Sequence, residues 1–94
     1  MTVRFTPRAL AELDAILDYV AERSPTGARR IQQRIRTLID VLPDFPNAGQ
    51  QTSVPRLRRL VVTPFPYAIF YRTAADDIVI ISVQHAARQP EFGP

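Results

Sequence analysis

The sequence feature that most constrains the fold is a helix start signal that occurs twice in the first third of the chain. Thr6-Pro7 and Ser24-Pro25 each place a hydroxyl side chain directly before a proline. The hydroxyl caps free N–H groups at a helix start, and proline at the first helical position loses no hydrogen bond. Two consecutive helices are therefore predicted, over residues 7–23 and 24–42. Their connection is so short that we expect an antiparallel pair.

Both predicted helices have one apolar face. In the first, the apolar residues recur at three- and four-residue spacing: Leu10, Leu13, Ile16 or Leu17, and Val20. In the second, the same spacing joins Ala28, Ile31, Ile35, Leu38 and Leu42. Such spacing is typical of helices that pack on a core. The first helix has an excess of acidic residues and the second an excess of arginines, most of which must face solvent.

The rest of the chain is rich in β-forming residues. Residues 2–5 form a short predicted strand, and three more strands are predicted over residues 56–63, 66–72 and 78–84, after a loop over residues 43–55. The apolar run over residues 78–81 is typical of a central strand covered on both faces. The order β-α-α-β-β-β predicts an α+β fold in which a helical hairpin packs on a small, mostly antiparallel sheet.

Composition excludes several classes of function. A length of 94 residues favours a single domain with one core. The chain has no cysteine, one histidine and three scattered glycines, so thiolate chemistry, glycine-rich phosphate loops and clustered metal ligands are not expected. We expect neither cofactor nor metal. The sequence has no apolar run of membrane-spanning length and no signal-peptide pattern, which favours a cytoplasmic location.

Metal-free RNA cleavage remains chemically possible. It requires cations at the phosphate and acid–base groups, for which arginine and His85, Tyr67 or Tyr71 are candidates. Each residue also has a structural interpretation. A single histidine at a strand end more often hydrogen-bonds a carbonyl, and Tyr67 and Tyr71 alternate with Ile69 as core residues do. Arg72 is interpreted as the rim of a site or as an ion-pair partner.

Three arginines stand close together at the start of a predicted strand, namely Arg56, Arg58 and Arg59. Charged residues at a sheet edge discourage aggregation, which is one explanation of the cluster. The alternative explanation is a patch that binds phosphate or an acidic protein segment. The net charge of +3 favours an acidic partner without identifying it.

Four strings, taken in order, identify a family resemblance: FTPRALAELDAILDYVAERSP, LIDVLPDFPNAG, RRLVVTPFPYAIFYR and IVIISVQHAARQP. Together they cover nearly the whole chain and resemble the RelE/ParE family, the toxins of type II toxin–antitoxin pairs. The fold that this resemblance implies agrees with the predicted order of elements. The family contains RelE-like members, which cut messenger RNA on the ribosome, and ParE-like members, which poison DNA gyrase without nuclease chemistry.

The RelE pattern is poorly matched. Two lysines that it expects on one strand fall on Arg59 and Val61, and an expected arginine falls on Ala68. No tyrosine stands in the tail over residues 91–94, so other groups would have to supply the chemistry. A nuclease would have to use Arg59, Arg72, His85 and Arg88.

The ending HAARQP looks more like ParE and its plasmid-stabilisation relatives. The resemblance therefore implies a gyrase inhibitor that acts by binding, has no active site and forms a hetero-oligomer with its antitoxin. We expect an acidic antitoxin segment to cross the helical hairpin and follow a sheet edge. The positions expected to contact it are Arg29, Arg30, Arg56, Arg58 and Arg59. A plain nucleic-acid-binding module is less favoured, because exposed aromatic residues are not interleaved with the basic ones.

Overall fold

The computed structural model describes residues 1–87, which form two helices and five strands. In chain order they are β1 (Thr2–Phe5), α1 (Pro7–Ala21), α2 (Pro25–Val41), β2 (Gln50–Gln51), β3 (Arg58–Val61), β4 (Tyr67–Ala74) and β5 (Asp77–His85). The predicted α+β fold is confirmed. The predicted order lacked one element, because β2 lies within the stretch that was expected to be only a loop.

Both helices begin as the sequence predicts. The Thr6 hydroxyl accepts a hydrogen bond from Ala9 N at 3.1 Å, and the Ser24 hydroxyl accepts one from Gly27 N at 2.9 Å. The α1 helix ends at Ala21, slightly before the predicted end, and packs against α2. Neither helix in residues 1–87 is long and apolar enough to cross a membrane.

The five strands form one sheet in the order β1-β5-β4-β3-β2. The β1 strand pairs with β5 in parallel, and every other neighbouring pair is antiparallel. The β5 strand therefore lies between β1 and β4, as its apolar sequence predicts. Only the first part of β5, residues Asp77 to Ile80, has β1 as a neighbour.

Each face of the sheet carries its own apolar cluster. On the helix face, the largest buried side chains are those of Tyr71, Ile69 and Ile78, which pack with residues of both helices. On the opposite face, called the outer face below, Leu57 packs on Phe70 and Ala68 of β4. The alternation of side chains along β4 therefore supplies both clusters.

Two local predictions are wrong. Leu10 is 49% exposed, whereas Ala9 is fully buried. The inward face of α1 thus passes through Ala9, Leu13 and Ile16, whose spacing fits the helical period better than a start at Leu10. The third strand begins at Arg58 instead of residue 56, because Arg56 has a φ of 67° and cannot continue an extended strand.

Candidate functional site

Three aligned strands define the centre of the outer face. Val61 of β3 lies opposite Ala68 of β4, and Ala68 lies opposite Gln84 of β5. Residues that are directly opposite share a face of the sheet. The row therefore consists of two apolar side chains and one amide. Two of its members occupy positions at which the RelE pattern expects basic residues.

His85 leaves the sheet on the other face. It lies opposite Tyr67, and the two rings make an edge-to-face contact with centroids 5.9 Å apart. Its Nδ1 accepts a hydrogen bond from Ala87 N at 3.2 Å, so the proton of the neutral ring is on Nε2. His85 thus hydrogen-bonds a backbone amide at the strand end, and not the carbonyl that the structural interpretation expected.

The residues proposed for a nuclease do not form one cluster in the described structure. Arg59 projects from the outer face opposite Phe70 and donates to Ala86 O at 2.7 Å, while His85 projects from the helix face. Tyr67 lies opposite His85, and Arg72 is five residues further along β4. At 3.3 Å per residue, Arg72 is therefore about 16 Å along the strand from His85. The fourth residue of that set, Arg88, lies outside the described residues.

A cavity of about 590 Å³ brings Arg72 together with two other arginines. Arg56 precedes β3, Arg58 begins β3, and Arg72 comes from β4, and all three line this space, which we call the arginine cavity. Arg58 is held in place because its Nη1 donates to Gly49 O at 2.7 Å and to Asn47 O at 3.3 Å. These contacts leave the remaining guanidinium N–H groups of Arg58 for another acceptor.

The charges of the arginine cavity are not neutralised by the described part of the chain. Arginine–carboxylate pairs within residues 1–87 join Arg4 to Asp77, Arg8 to Glu12 and Arg23 to Glu22. None of the three cavity arginines takes part in these pairs. Arg56 is moreover held in the left-handed region of backbone conformation, which is unfavourable for a residue with a long side chain. The arrangement is suited to bind an anion such as a carboxylate or a phosphate group.

The five arginines expected to bind an antitoxin thus occupy three places. Arg56 and Arg58 line the arginine cavity, and Arg59 lies on the outer face. Arg29 and Arg30 are exposed on α2, where Arg29 donates to the Thr26 hydroxyl of its own helix at 3.4 Å.

Sequence reasoning did not group Arg72 with Arg56 and Arg58. The grouping depends on the pairing of β3 with β4, which places Arg58 opposite Tyr71, next to Arg72 in β4. The antiparallel hairpin was predicted, but its register was not. A one-residue shift of that register would move Arg72 relative to Arg58 and change which side chains share a face.

A second concave region was also missed. Glu12 and Tyr19 of α1 face Tyr67, Gln84 and His85 across a cavity of about 540 Å³, which we call the α1–β5 groove. The sequence hints at it only through the polar pair Ser82 and Gln84, two residues apart in an otherwise apolar strand, which does not say what lies beside them. Within residues 1–87, no group of three or more histidine, aspartate or glutamate side chains is placed to hold a metal ion.

Comparison with known proteins identifies the class of protein to which this fold belongs. A curated relative, Toxin RelE2 of Caulobacter vibrioides, is 43% identical over 86 residues, which cover 92% of this chain and 96% of the relative. A solved structure described as the chromosomal ParDE TA system from P. aeruginosa matches with a TM-score of 0.81 and 28% identity, covering 90% of this chain and 95% of that chain. The intact E. coli RelBE toxin–antitoxin complex matches with a TM-score of 0.62, covering 93% of this chain and 98% of that one, and at 22% identity it supports the fold alone.

The fold is therefore that of the RelE/ParE class of toxins. The family model described as the ParE toxin of the type II toxin–antitoxin system parDE matches residues 3–90. The chain belongs to this ParE toxin family, and the resemblance inferred from its sequence is confirmed.

Proposed function

We propose that this toxin inhibits DNA gyrase by binding it, without catalysis of its own, and that it acts in the cytoplasm. The observation that carries the proposal is the row Val61–Ala68–Gln84 on the outer face. Neither a methyl-bearing side chain nor a neutral amide acts as a general acid or base at the strength that RNA cleavage requires. The placement of His85 on the opposite face, against Tyr67, supports the same conclusion.

The proposed partner is an antitoxin with an acidic segment. Arg56, Arg58 and Arg72 have no carboxylate partner within residues 1–87, which supports this part of the proposal, because a carboxylate-bearing chain would neutralise them. We propose that the segment also crosses the hairpin near Arg29 and Arg30 and reaches Arg59, giving a hetero-oligomer. The family model, which describes the toxin of a type II toxin–antitoxin system, and the solved relative described as a ParDE system support such a pair for this chain.

The test compares two cellular targets after induction of the toxin alone. We expect plasmid supercoiling to be disturbed while transcripts stay intact, and we expect the purified toxin to inhibit gyrase in a supercoiling assay. Co-expression of the protein encoded beside the toxin should restore growth. Rapid, codon-linked cleavage of messenger RNA with normal supercoiling would instead identify a RelE-like ribonuclease and reject the gyrase proposal.

His85→Ala tests the absence of catalysis directly. If toxicity depends only on binding elsewhere, the variant should inhibit growth as strongly as the unmodified protein. A matched variant, Tyr67→Phe, keeps the ring that His85 contacts and should also remain toxic. Loss of toxicity in the folded His85 variant, with Tyr67→Phe unaffected, would show that the imidazole is needed for the activity.

A further inference from the structure

The α1–β5 groove lies where one edge of β5 is left without a strand partner. The β1 strand ends opposite Ile80, so the rest of β5 has no neighbouring strand on that side within residues 1–87. Side chains of α1 lie beside this edge instead, and the cavity between them is lined by Glu12, Ile16 and Tyr19 from the helix.

Polar side chains continue from the helix into β5 as a chain of hydrogen bonds. The Ser82 hydroxyl donates to Glu12 Oε1 at 2.6 Å, and Val83 N donates to the same oxygen at 3.2 Å. Gln84 Nε2 donates to Ser82 Oγ at 3.0 Å. Because the single Ser82 proton is used on the carboxylate, Ser82 must accept from Gln84, and this fixes the orientation of the Gln84 amide.

That orientation leaves an acceptor without a donor. Gln84 is only 6% exposed, and its Oε1 is buried with no hydrogen-bond partner in the described structure. A buried oxygen in this state is unfavourable, because it has lost its hydrogen bonds to water without gaining another donor. Since the hydrogen bonds of Ser82 and Glu12 require this orientation, an amide flip would not remove the defect.

Two further acceptors lie at the same place. Glu12 Oε2 forms an ion pair with Arg8 of the same helix, whose Nε is 3.6 Å away, so this oxygen is only partly available to a ligand. Val83 N points away from β4 toward Glu12, and in an antiparallel pair the carbonyl of the same residue points to the same side. The carbonyl of Val83 therefore also faces the open edge. Near Ser82, one buried acceptor therefore lacks a donor within residues 1–87, and one backbone carbonyl faces the open edge.

We propose that the α1–β5 groove binds the guanidinium group of an arginine from a partner protein. A guanidinium has five N–H donors in one plane, which suits several acceptors at once. The walls of the groove include the rings of Tyr19 and Tyr67, and planar cations stack on such rings. The molecule itself provides an example, because the Arg23 guanidinium carbon lies 3.8 Å from the centre of the Tyr19 ring, which leaves the other face of that ring and the Tyr67 ring for a ligand.

The charge of α1 favours the same kind of partner. Asp14 and Asp18 are exposed on this helix but lie away from the face that lines the groove, so they add to the negative charge of α1 without touching a ligand in the groove. The arginine cavity requires a partner of the opposite charge. This inference therefore goes beyond the proposed function and does not depend on whether the toxin acts on gyrase or on RNA.

A titration of the full chain with short peptides tests the proposal. The probe is Ac-Gly-Arg-Gly-NH₂, followed through the backbone amides of the protein and the side-chain amide of Gln84 by NMR. We expect saturable shifts centred on Ser82, Val83 and Gln84, with a Kd of about 1 mM for so small a ligand. The citrulline peptide, which has the same shape without the charge, should bind at least tenfold more weakly. Equal binding of the two peptides, or shifts elsewhere, would reject the proposal.

Variants separate a ligand site from a tolerated packing defect. Gln84→Met removes the unpaired acceptor and should weaken binding of the arginine peptide at least tenfold in a protein that remains folded. If that variant does not fold, Glu12→Gln takes its place as the deciding variant. We expect Glu12→Gln to weaken binding of the arginine peptide about tenfold. Asp14→Asn removes one charge from the exposed side of the same helix and should change the Kd less than twofold. An unchanged Kd in the deciding variant, or an equal loss in Asp14→Asn, would overturn the assignment.

Discussion

At the scale of single residues, Tyr71 connects the sheet to the loop that precedes β2. Its side chain is fully buried, and its hydroxyl accepts from Gly49 N at 2.8 Å and donates to Pro46 O at 2.9 Å. Tyr71→Phe leaves both backbone groups without these partners, so we expect the free energy of unfolding to fall by about 1–3 kcal/mol in urea denaturation. Tyr19→Phe, at an exposed tyrosine, should change it by less than about 0.5 kcal/mol. Equal values for the two variants would contradict the structural role of the Tyr71 hydroxyl.

The same contact explains why a glycine follows Ala48. A Cβ atom added at Gly49 would lie 2.8 Å from Tyr71 Cε1 and 2.9 Å from the Tyr71 hydroxyl. These distances are shorter than van der Waals contact, so any larger residue would displace the ring or the loop. The loop that carries the Gly49 carbonyl also positions Arg58. One buried tyrosine therefore helps to shape the arginine cavity, although it does not line that cavity.

At the scale of elements, the two helix caps provide a matched comparison. Both cap hydroxyls accept from an amide of the first turn, but Thr6 also donates to Ile81 O of β5 at 3.2 Å. Thr6→Ala therefore removes a link between helix and sheet as well as a cap. We expect a loss of about 1–2 kcal/mol for Thr6→Ala and about 0.5–1 kcal/mol for Ser24→Ala, measured by chemical denaturation. A larger loss for Ser24→Ala would show that the link to Ile81 contributes nothing.

The elements also show how far sequence reasoning extends. The caps and the apolar face of α2 were predictable, because they depend on residues a few positions apart. The β2 strand was not, since Gln50 and Gln51 are exposed and carry no apolar alternation. Neither was the α1–β5 groove, whose bond from Ser82 to Glu12 joins residues 70 positions apart. Contacts of that kind depend on strand register and helix placement, which no local pattern specifies.

At the scale of the whole molecule, charge is distributed unevenly. All twelve basic residues are arginines, and nine acidic residues oppose them. The α1 helix carries the exposed acids Asp14 and Asp18 and contributes Glu12 to the α1–β5 groove, while Arg56 and Arg72 lie at the arginine cavity without ion-pair partners within residues 1–87. One surface is therefore suited to an acidic partner and another to a basic one. The net charge of +3 conceals this division, because it averages over both surfaces.

This division predicts which arginines determine binding to the antitoxin. Arg72→Gln and Arg36→Gln each remove one exposed charge, but only Arg72 lines the arginine cavity. If an acidic antitoxin segment binds there, we expect Arg72→Gln to weaken its affinity about tenfold, and Arg36→Gln less than twofold, in calorimetry at about 0.15 M salt. The difference should shrink at about 1 M salt, where ionic screening reduces attraction between exposed charges. Similar losses in both variants would mean that the segment responds to overall charge and not to the cavity.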